Sequence, residues 1–350
     1  MRTGIPILSI SLLLLSSCVQ NHKEGEALVL NVPFSSFAQS EDSFLATGIS
    51  VNSIMLSDGG RQECIQSSVS KVLCTEDRIL VLDGIQNSLV AYDQNGQAIA
   101  KIGVRGRGPQ EYVQISDFTI TEDQEIVLLD GNKNELIYFD KEYRFSRKKK
   151  SQHEISRLVS VGDGQFLMNL STWDPSGAGD CKVLLCDENQ KEIARYIKDD
   201  NPNDPNFEFP YVGFFPSDGD NIFFLKPIDD NVYVFSGNRL ETIYHFDFGP
   251  KTVKKDYRSE IEKNMADIMN STFLVNTVWV SGQHCLGMLF NKGEFITFYA
   301  DIERKILTDI TEMGYFMGVS DGRAFFYQMD APESDGAPVL NMFNTGEFAD

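Results

Sequence analysis

The chain has 350 residues, with 51 acidic side chains against 31 basic ones and a formal net charge of −20. Hydrophobic residues make up 42% and charged residues 23%, which is a globular composition and excludes a wholly disordered chain. The acidic balance excludes a general nucleic-acid binder, because a phosphate backbone would be repelled. Four histidines and scattered cysteines argue against a metal-rich protein.

The N-terminus has the features of a bacterial export signal. An arginine near the start is followed by an apolar run, then by two serines and Cys18. The run is too short to remain as a membrane-spanning helix. Residues 15–18 resemble a bacterial lipobox, which implies lipidation of Cys18 and removal of the peptide before it. We therefore expect a signal peptide over 1–17, a lipidated tether over 18–27 and one folded domain over 28–350.

The residue after Cys18 determines which membrane we expect the protein to occupy. In the signals that this segment resembles, an aspartate at the next position retains the protein in the inner membrane, whereas here the residue is Val19. We expect an outer-membrane lipoprotein, facing the periplasm or the cell surface, with its lipid as the membrane anchor. The alternative is an ordinary secretory signal with an accidental cysteine.

A repeat organises the rest of the chain. Residues 78–93 and 125–140 superimpose without gaps, and a weaker third copy covers 221–235. Each of the first two has an apolar strand, a turn opened by Asp-Gly and closed by Asn, and a second strand. A short turn precedes such a strand six times, at 75–77, 121–123, 161–164, 217–219, 280–282 and 320–322.

A repeat of about 40–50 residues that is rich in short strands is typical of a propeller. We predict an all-β fold, a six-bladed β-propeller with four-stranded antiparallel blades. A strand near 49–56 is expected to join the last blade and close the ring, which removes an exposed sheet edge. Apolar residues at three- and four-residue steps predict one helical insertion near 252–271. The predicted blades cover 69–102, 115–150, 155–196, 211–247, 272–308 and 314–343.

The segment 101–112 carries a Gly-Arg-Gly-Pro signature between the first two blades. Together with the lipobox and the Leu-Asp-x-x-x-Asn hairpins, it resembles the six-bladed β-propeller lipoproteins of Bacteroides-type bacteria, which have a TolB-like or NHL-like fold. The resemblance covers essentially the whole mature chain and implies the fold and an envelope address. That family has no general assigned reaction. Gln110 stands where the family commonly has glycine, and the later blades are more divergent.

The same segment suggests a binding site. Its two arginines are closely paired basic residues in a loop of a very acidic chain, and guanidiniums can hold a carboxylate or a phosphate. In a propeller this loop and the central hairpins lie on one face. The predicted ligand-binding residues are Arg105, Arg107, Glu111, Asp117, Asp83 and Asp130. The alternative is that Arg107 and Glu111 pair with neighbouring blades and only lock the loop.

No catalytic constellation stands out, so the first hypothesis is a non-catalytic binding module. We expect a monomer without a cofactor or nucleic acid, and a protein, peptide or glycan of the envelope as its partner. The alternative is a calcium-dependent hydrolase of the lactonase or esterase type, with carboxylates lining the central channel. The loop 199–206 offers oxygen donors without the spacing of an EF-hand. The five cysteines after Cys18 are expected to be small buried side chains rather than disulfides.

Overall fold

A computed structural model describes residues 27–40, 44, 48–64, 66–171, 174, 181–198, 215–328, 334 and 336–348. Within these residues six β-sheets of four or five strands follow one another, and they form the six-bladed all-β propeller that the repeats predict. The signal peptide, nearly all of the tether and the acidic loop 199–206 lie outside the described residues.

The strands fall into blades as follows. Three N-terminal strands come first: β1 Leu28–Val32, β2 Ala38–Gln39 and β3 Asn52–Met55. Blade one contains β4–β7: Lys71–Cys74, Ile79–Asp83, Ser88–Tyr92 and Ala98–Ile102. Blade two contains β8–β11: Ile115–Ile120, Ile126–Asp130, Glu135–Phe139 and Phe145–Lys150. Blade three contains β12–β15: Ile155–Ser160, Phe166–Leu170, Cys181–Cys186 and Glu192–Lys198.

The remaining blades follow the same order. Blade four contains β16–β19: Ser217–Asp218, Asn221–Leu225, Asn231–Ser236 and Arg239–Phe246. Blade five contains β20–β23: Thr272–Ser281, His284–Asn291, Glu294–Asp301 and Ile306–Asp309. Blade six contains β24–β26: Tyr315–Ser320, Arg323–Gln328 and Val339–Asn344. Within each blade successive strands pair antiparallel.

The second strand of each early blade is apolar on both faces because neighbouring blades cover both faces. Every residue of β5 and of β9 is buried. Between blades one and two, Leu80 and Leu82 pack in one cluster with Phe118 and Leu128. The core therefore consists of layers between blades, and each layer removes apolar surface from water.

The N-terminal segment is shared among three blades. β1 pairs in parallel with β19, and β2 pairs in parallel with β23. β3 pairs antiparallel with β26 and supplies the fourth strand of blade six. The predicted closure is therefore confirmed. The added strands on blades four and five were not predicted, because five and two residues carry too little periodicity to identify a strand.

All five cysteines of the described residues are unbonded and buried, as predicted. Burial raises the pKa of Cys74 and that of Cys186 to about 12. Their thiolates are scarce at neutral pH, so these side chains are poor nucleophiles.

The predicted insertion between blades four and five is shorter than its sequence pattern. A 3-10 turn covers Lys255–Ser259, and the single described α-helix, α1, covers Ile261–Met269. Ile261 and Ile268 are buried against the main core cluster. The helix therefore packs on the propeller through the apolar positions that predicted it.

Buried charges hold this insertion on blade four. The Arg258 guanidinium lies 3.1 Å from an Asp230 carboxylate oxygen and 3.5 Å from an Asp229 oxygen. Lys226 lies 3.3 Å from the other Asp229 oxygen. Burial raises the pKa of Asp230 to about 6, and the neighbouring Asp229 adds to the effect, whereas Arg258 opposes it. One Asp230 oxygen is buried and has no hydrogen-bond partner.

We predict that Asp230 makes the protein more stable in mild acid. The pKa of Asp230 in the folded protein lies above its ordinary value of 3.8. The folded state therefore binds the proton more tightly, and this contribution is complete below about pH 4 and is lost as the pH rises through about 6. At about 1.4 kcal/mol per pH unit, the loss is at most about 3 kcal/mol.

Chemical denaturation of the wild type and of Asp230→Asn at pH 4.0 and pH 7.5 measures this effect. Asparagine keeps the size of the side chain and has no charge, so the variant should gain stability relative to the wild type at the higher pH. An equal difference between the two proteins at both pH values would contradict the assignment.

Candidate functional site

The aspartate that opens the first hairpin turn connects this turn to the segment before β4 through hydrogen bonds. One Asp83 carboxylate oxygen accepts hydrogen bonds from the backbone N–H groups of Ser67 at 2.6 Å and Ser68 at 3.0 Å, just before β4. The other oxygen accepts from Ile85 and Gln86 within the turn, both at 2.8 Å. Burial alone would raise the pKa of Asp83, but the hydrogen bonds from Ser68 and the backbone outweigh it and lower the pKa.

The second hairpin repeats this arrangement. Asp130 accepts from the backbone N–H groups of Val113 at 2.7 Å and Gln114 at 3.3 Å, just before β8. It also accepts from Asn132 and Lys133 in its own turn, both at 3.1 Å. The two turn aspartates of the predicted set, Asp83 and Asp130, are therefore engaged with their own blades.

The asparagine that closes each turn links one blade to the next. Asn87 and Asn134 have φ values of 55° and 53°, a left-handed conformation that asparagine tolerates. The Asn87 side-chain oxygen accepts from the N–H of Ile115 at 3.1 Å, at the start of blade two. That of Asn134 accepts from Ile155 at 3.5 Å, at the start of blade three. The asparagine of each repeat thus links its hairpin turn to the first strand of the following blade.

Residues 103–112, which we call the arginine loop, are held by their own hydrogen bonds. The Gly106 N–H donates to the Tyr112 carbonyl at 2.8 Å, and the Tyr112 N–H donates to the Val104 carbonyl at 3.1 Å. A Glu111 oxygen accepts from the Gly108 N–H at 2.6 Å. A side chain at Gly106 would collide with the Glu111 carboxylate, so the loop needs glycine there. The Glu111 side chain therefore locks its own loop, and its carbonyl accepts from the ammonium groups of Lys133 and Lys148 on blade two.

The rigid loop presents its long side chains to solvent. Arg105 and Arg107 are exposed, and no hydrogen bond or ion pair of their guanidiniums is found within the described part of the chain. Val104 is 62% exposed, and Ile85, in the adjoining turn of blade one, is 76% exposed. This patch combines two cations and two apolar side chains on a fixed scaffold.

Asp117 belongs to a different environment. It is completely buried, and one of its oxygens lies 2.7 Å from the Lys71 ammonium. Its other oxygen accepts from the Leu158 N–H at 2.8 Å. The Lys71 ammonium also donates to the Phe118 carbonyl at 2.8 Å. Burial lowers the pKa of Lys71, and the Asp117 charge opposes that effect. These contacts join the innermost strands of blades one, two and three.

Lys71 of this ion pair also lines a cavity of about 770 Å³. The innermost strands and first turns of blades one, two, three, four and six line it, so it is part of the central channel. It opens on the face that carries the turns between the first and second strands, which we call the turn face. The arginine loop, which joins a last strand to a first strand, lies at the opposite end of the blades.

The lining of this channel cavity is acidic. Lys71 lies at its inner end, where Asp117 balances its charge. The acidic side chains that line the cavity are Glu76, Glu122, Asp218, Asp220 and Asp321. Asp218 accepts from the Trp279 indole N–H at 2.9 Å, and Asp321 lies 3.4 Å from Arg323. In the described residues no hydrogen bond or ion pair engages the side chains of Glu76 and Asp220.

Sequence reasoning considered carboxylates in the central channel but did not identify the acidic residues that line this cavity. The sequence pattern identified the first turns only as connections between strands. They lie at 75–77, 121–123, 217–219 and 320–322. Their recurring acidic residue was the available signal, because a propeller places all first turns around one end of the channel. The predicted ligand-binding residues instead lie in three separate environments. These are the exposed arginine loop, the two hairpin turns and the buried ion pair with Lys71.

The described residues contain no group of three or more His, Cys, Asp or Glu side chains placed to hold a metal ion.

We predict that Asp117→Ala is strongly destabilising, by about 3–5 kcal/mol, because it leaves the Lys71 ammonium buried without its carboxylate partner. Urea denaturation followed by circular dichroism measures the change. Lys71→Met/Asp117→Leu, which removes both charges, should recover a large part of the loss. A double variant no more stable than Asp117→Ala would show that the lost backbone hydrogen bonds, rather than the unpaired charge, dominate.

The fold is similar to that of several solved structures. A protein of Bacteroides fragilis NCTC 9343 described as exported shares 15% identity, with a TM-score of 0.73 over 90% of this chain and 99% of that one. A DUF4221 member from Bacteroides vulgatus shares 11% identity, with a TM-score of 0.53 over 84% and 97%. A gluconolactonase from Xanthomonas campestris shares 10% identity, with a TM-score of 0.50 over 86% and 93%. At these identities the similarity shows the fold alone.

No protein of curated function matches the chain. One family model matches residues 61–336, which span five complete blades and part of the sixth. This range includes the hairpin aspartates Asp83 and Asp130, the arginine loop and the turns around the channel cavity. The chain therefore belongs to the DUF4934 family, described as a domain of unknown function.

Proposed function

We propose that this protein is a non-catalytic binding propeller of the bacterial envelope, anchored through a lipid on Cys18, that takes a cationic peptide or polyamine into its channel cavity. The observation that carries the proposal is the cavity of about 770 Å³ with its acidic lining. Its size is within the usual range of ligand pockets, about 300–1,000 Å³. The charge of its lining supplies the selectivity for a cation.

The electrostatics of the channel favour a cation over an anion. Within the described residues the one basic side chain of the lining, Lys71, is balanced by Asp117, whereas Glu76 and Asp220 remain uncompensated. A channel with low-dielectric walls concentrates the field of such charges and raises the local concentration of counter-ions.

The envelope address has separate support. The first residues resemble a lipoprotein signal with Cys18 at its cleavage site. No helix of the described residues is long and apolar enough to cross a membrane. A similar propeller, from Bacteroides fragilis, is described as an exported protein. A lipid on Cys18 would hold the folded domain at the membrane through a short tether.

A second candidate function is partner docking at the arginine loop. It is favoured by one observation: the loop backbone is fixed by hydrogen bonds, while Arg105, Arg107 and Val104 are exposed. A preorganised surface loses little entropy on binding, and arginine is a frequent anchor in protein interfaces. This face would receive an acidic partner, in contrast to the channel cavity.

A calcium-dependent hydrolase remains the alternative class. The gluconolactonase from Xanthomonas campestris shares the propeller architecture. The channel of this chain does not bring three metal-ligating side chains together in its described residues, so we assign no reaction to it.

We predict that spermidine or a trilysine peptide raises the melting temperature of the protein at low ionic strength. A cation that binds only the folded state adds about 2.7 kcal/mol at 100 times its dissociation constant. Glu76→Gln/Asp220→Asn removes the two uncompensated carboxylates and should weaken binding at least fivefold in calorimetric titration. Both residues are exposed, so the variant should fold normally.

Arg105→Ala/Arg107→Ala is the matched control, because it changes two charges at the opposite end of the propeller. It should leave cation binding unchanged. A trianionic probe such as citrate tests the second function, and binding of citrate that this control abolishes would favour the arginine loop. If neither variant alters the binding of spermidine, the cation is held by the general negative charge and the channel proposal fails.

We predict that Cys18 is lipidated in the native host. After growth with an alkyne-labelled palmitate, the wild type should carry the label and sediment with the membrane fraction. Cys18→Ala should lose the label and should not undergo lipoprotein processing. Equal labelling of the two proteins would contradict the anchor without affecting the proposal for the channel cavity.

A further inference from the structure

The outer edge of blade four differs from an ordinary propeller edge. β1 is its outermost strand, and Leu28, Val29 and Leu30 are 58%, 56% and 38% exposed. Only Val32 of this strand is buried. Because β1 pairs with β19 on one side only, its other backbone edge has no partner strand in the described residues. An apolar strand with an open edge is a template for association.

The outer strand of blade two shows how such an edge is usually protected. β11 is the outermost strand of blade two, and it carries one arginine and three lysines in a row. Arg147 pairs with Glu125, and Lys148 lies 3.2 Å from Glu135. These side chains are half-buried and paired, and the cost of removing such charges from water discourages pairing with another chain. β1 has no charged residue, so its edge is suited to an apolar environment.

The chain itself brings a lipid surface to this edge. Leu28 lies ten positions after Cys18 in the sequence. A fully extended chain covers about 3.3–3.6 Å per residue, so Leu28 lies within about 35 Å of a lipidated Cys18. The bilayer is therefore always near β1, at a high effective concentration, and weak apolar contacts suffice to dock the strand.

We propose that Leu28, Val29 and Leu30 form the membrane-facing surface of the propeller and insert into the headgroup layer of the bilayer that holds the anchor. This inference rests on the proposed lipid anchor. At that depth water and lipid headgroups satisfy the open backbone edge, while the apolar side chains reach the acyl boundary. The bilayer also shields the edge from pairing with other chains.

This contact fixes the orientation of the domain. A blade edge lies on the rim of the propeller, so a bilayer touching that edge runs parallel to the propeller axis. The channel cavity and the arginine loop then open sideways, at opposite ends, and neither is covered by lipid. Both candidate binding faces remain accessible to soluble partners.

To test this proposal, the protein is attached covalently to lipid vesicles. The mature chain, beginning at Cys18, is reacted with a maleimide lipid in phosphatidylethanolamine and phosphatidylglycerol vesicles. The five cysteines of the described domain are buried, so the reagent selects Cys18. Brominated phosphatidylcholine in the same vesicles quenches tryptophan that enters the bilayer. The reporter is Val29→Trp, with the signal of the parent protein subtracted.

Met55→Trp is the matched control, because Met55 is 48% exposed on the outer strand of blade six. We expect at least twofold stronger quenching and a blue-shifted emission for Val29→Trp, with little change for Met55→Trp. Leu28→Asn/Leu30→Asn in the Val29→Trp background should abolish the difference. Equal quenching at both sites, or stronger quenching at Met55, would overturn the proposal. Dimerisation through β1 without vesicle contact, seen by analytical ultracentrifugation, would also overturn it.

These results are independent of processing in the cell. The maleimide supplies the anchor even if Cys18 is not lipidated in the host. A failure of palmitate labelling would therefore remove the proposed anchor, whereas a failure of the quenching difference would remove only the proposed orientation.

Discussion

Backbone pairing between β3 and β26 is the constraint on which the rest of the structure depends. It joins Ile54 to Leu340, near the two ends of the chain, and turns a row of six sheets into a ring. Without it, blade six would lack its fourth strand and the row of blades would have a loose end. Ring closure sets the spacing of the innermost strands, and that spacing creates the channel cavity.

Within the ring, charged groups serve two opposite purposes. Lys71 and Asp117 are buried together and join three blades near the axis, and Asp83 holds its own blade through backbone N–H groups. Glu76, Asp220 and the two loop arginines remain in solvent. The first set gives the blades a fixed geometry. The second set places two carboxylates at one end of the propeller and two guanidiniums at the other, where they are available for binding.

The fold was predictable because each repeat contains the residues that form its own turn and strands. Asp83 and Asn87 mark a turn, and the same pair recurs as Asp130 and Asn134 one blade later. The site was less predictable, because it depends on distances between blades. Nothing near Asp117 in the sequence indicates Lys71, which lies 46 residues earlier on the neighbouring blade. The arginine loop was correctly placed beside the hairpin turns, since short-range connectivity decides that arrangement, but the acidic channel lies at the other end.

The N-terminal segment touches blades four, five and six in turn, through β1, β2 and β3. A pull on a membrane tether would therefore act first on β1, then on β2, and only last on the strand that closes the ring. The two added strands, β1 and β2, precede the closing strand β3 along the chain. The pairing that closes the ring is thus the contact of this segment that lies furthest along the chain from the proposed anchor.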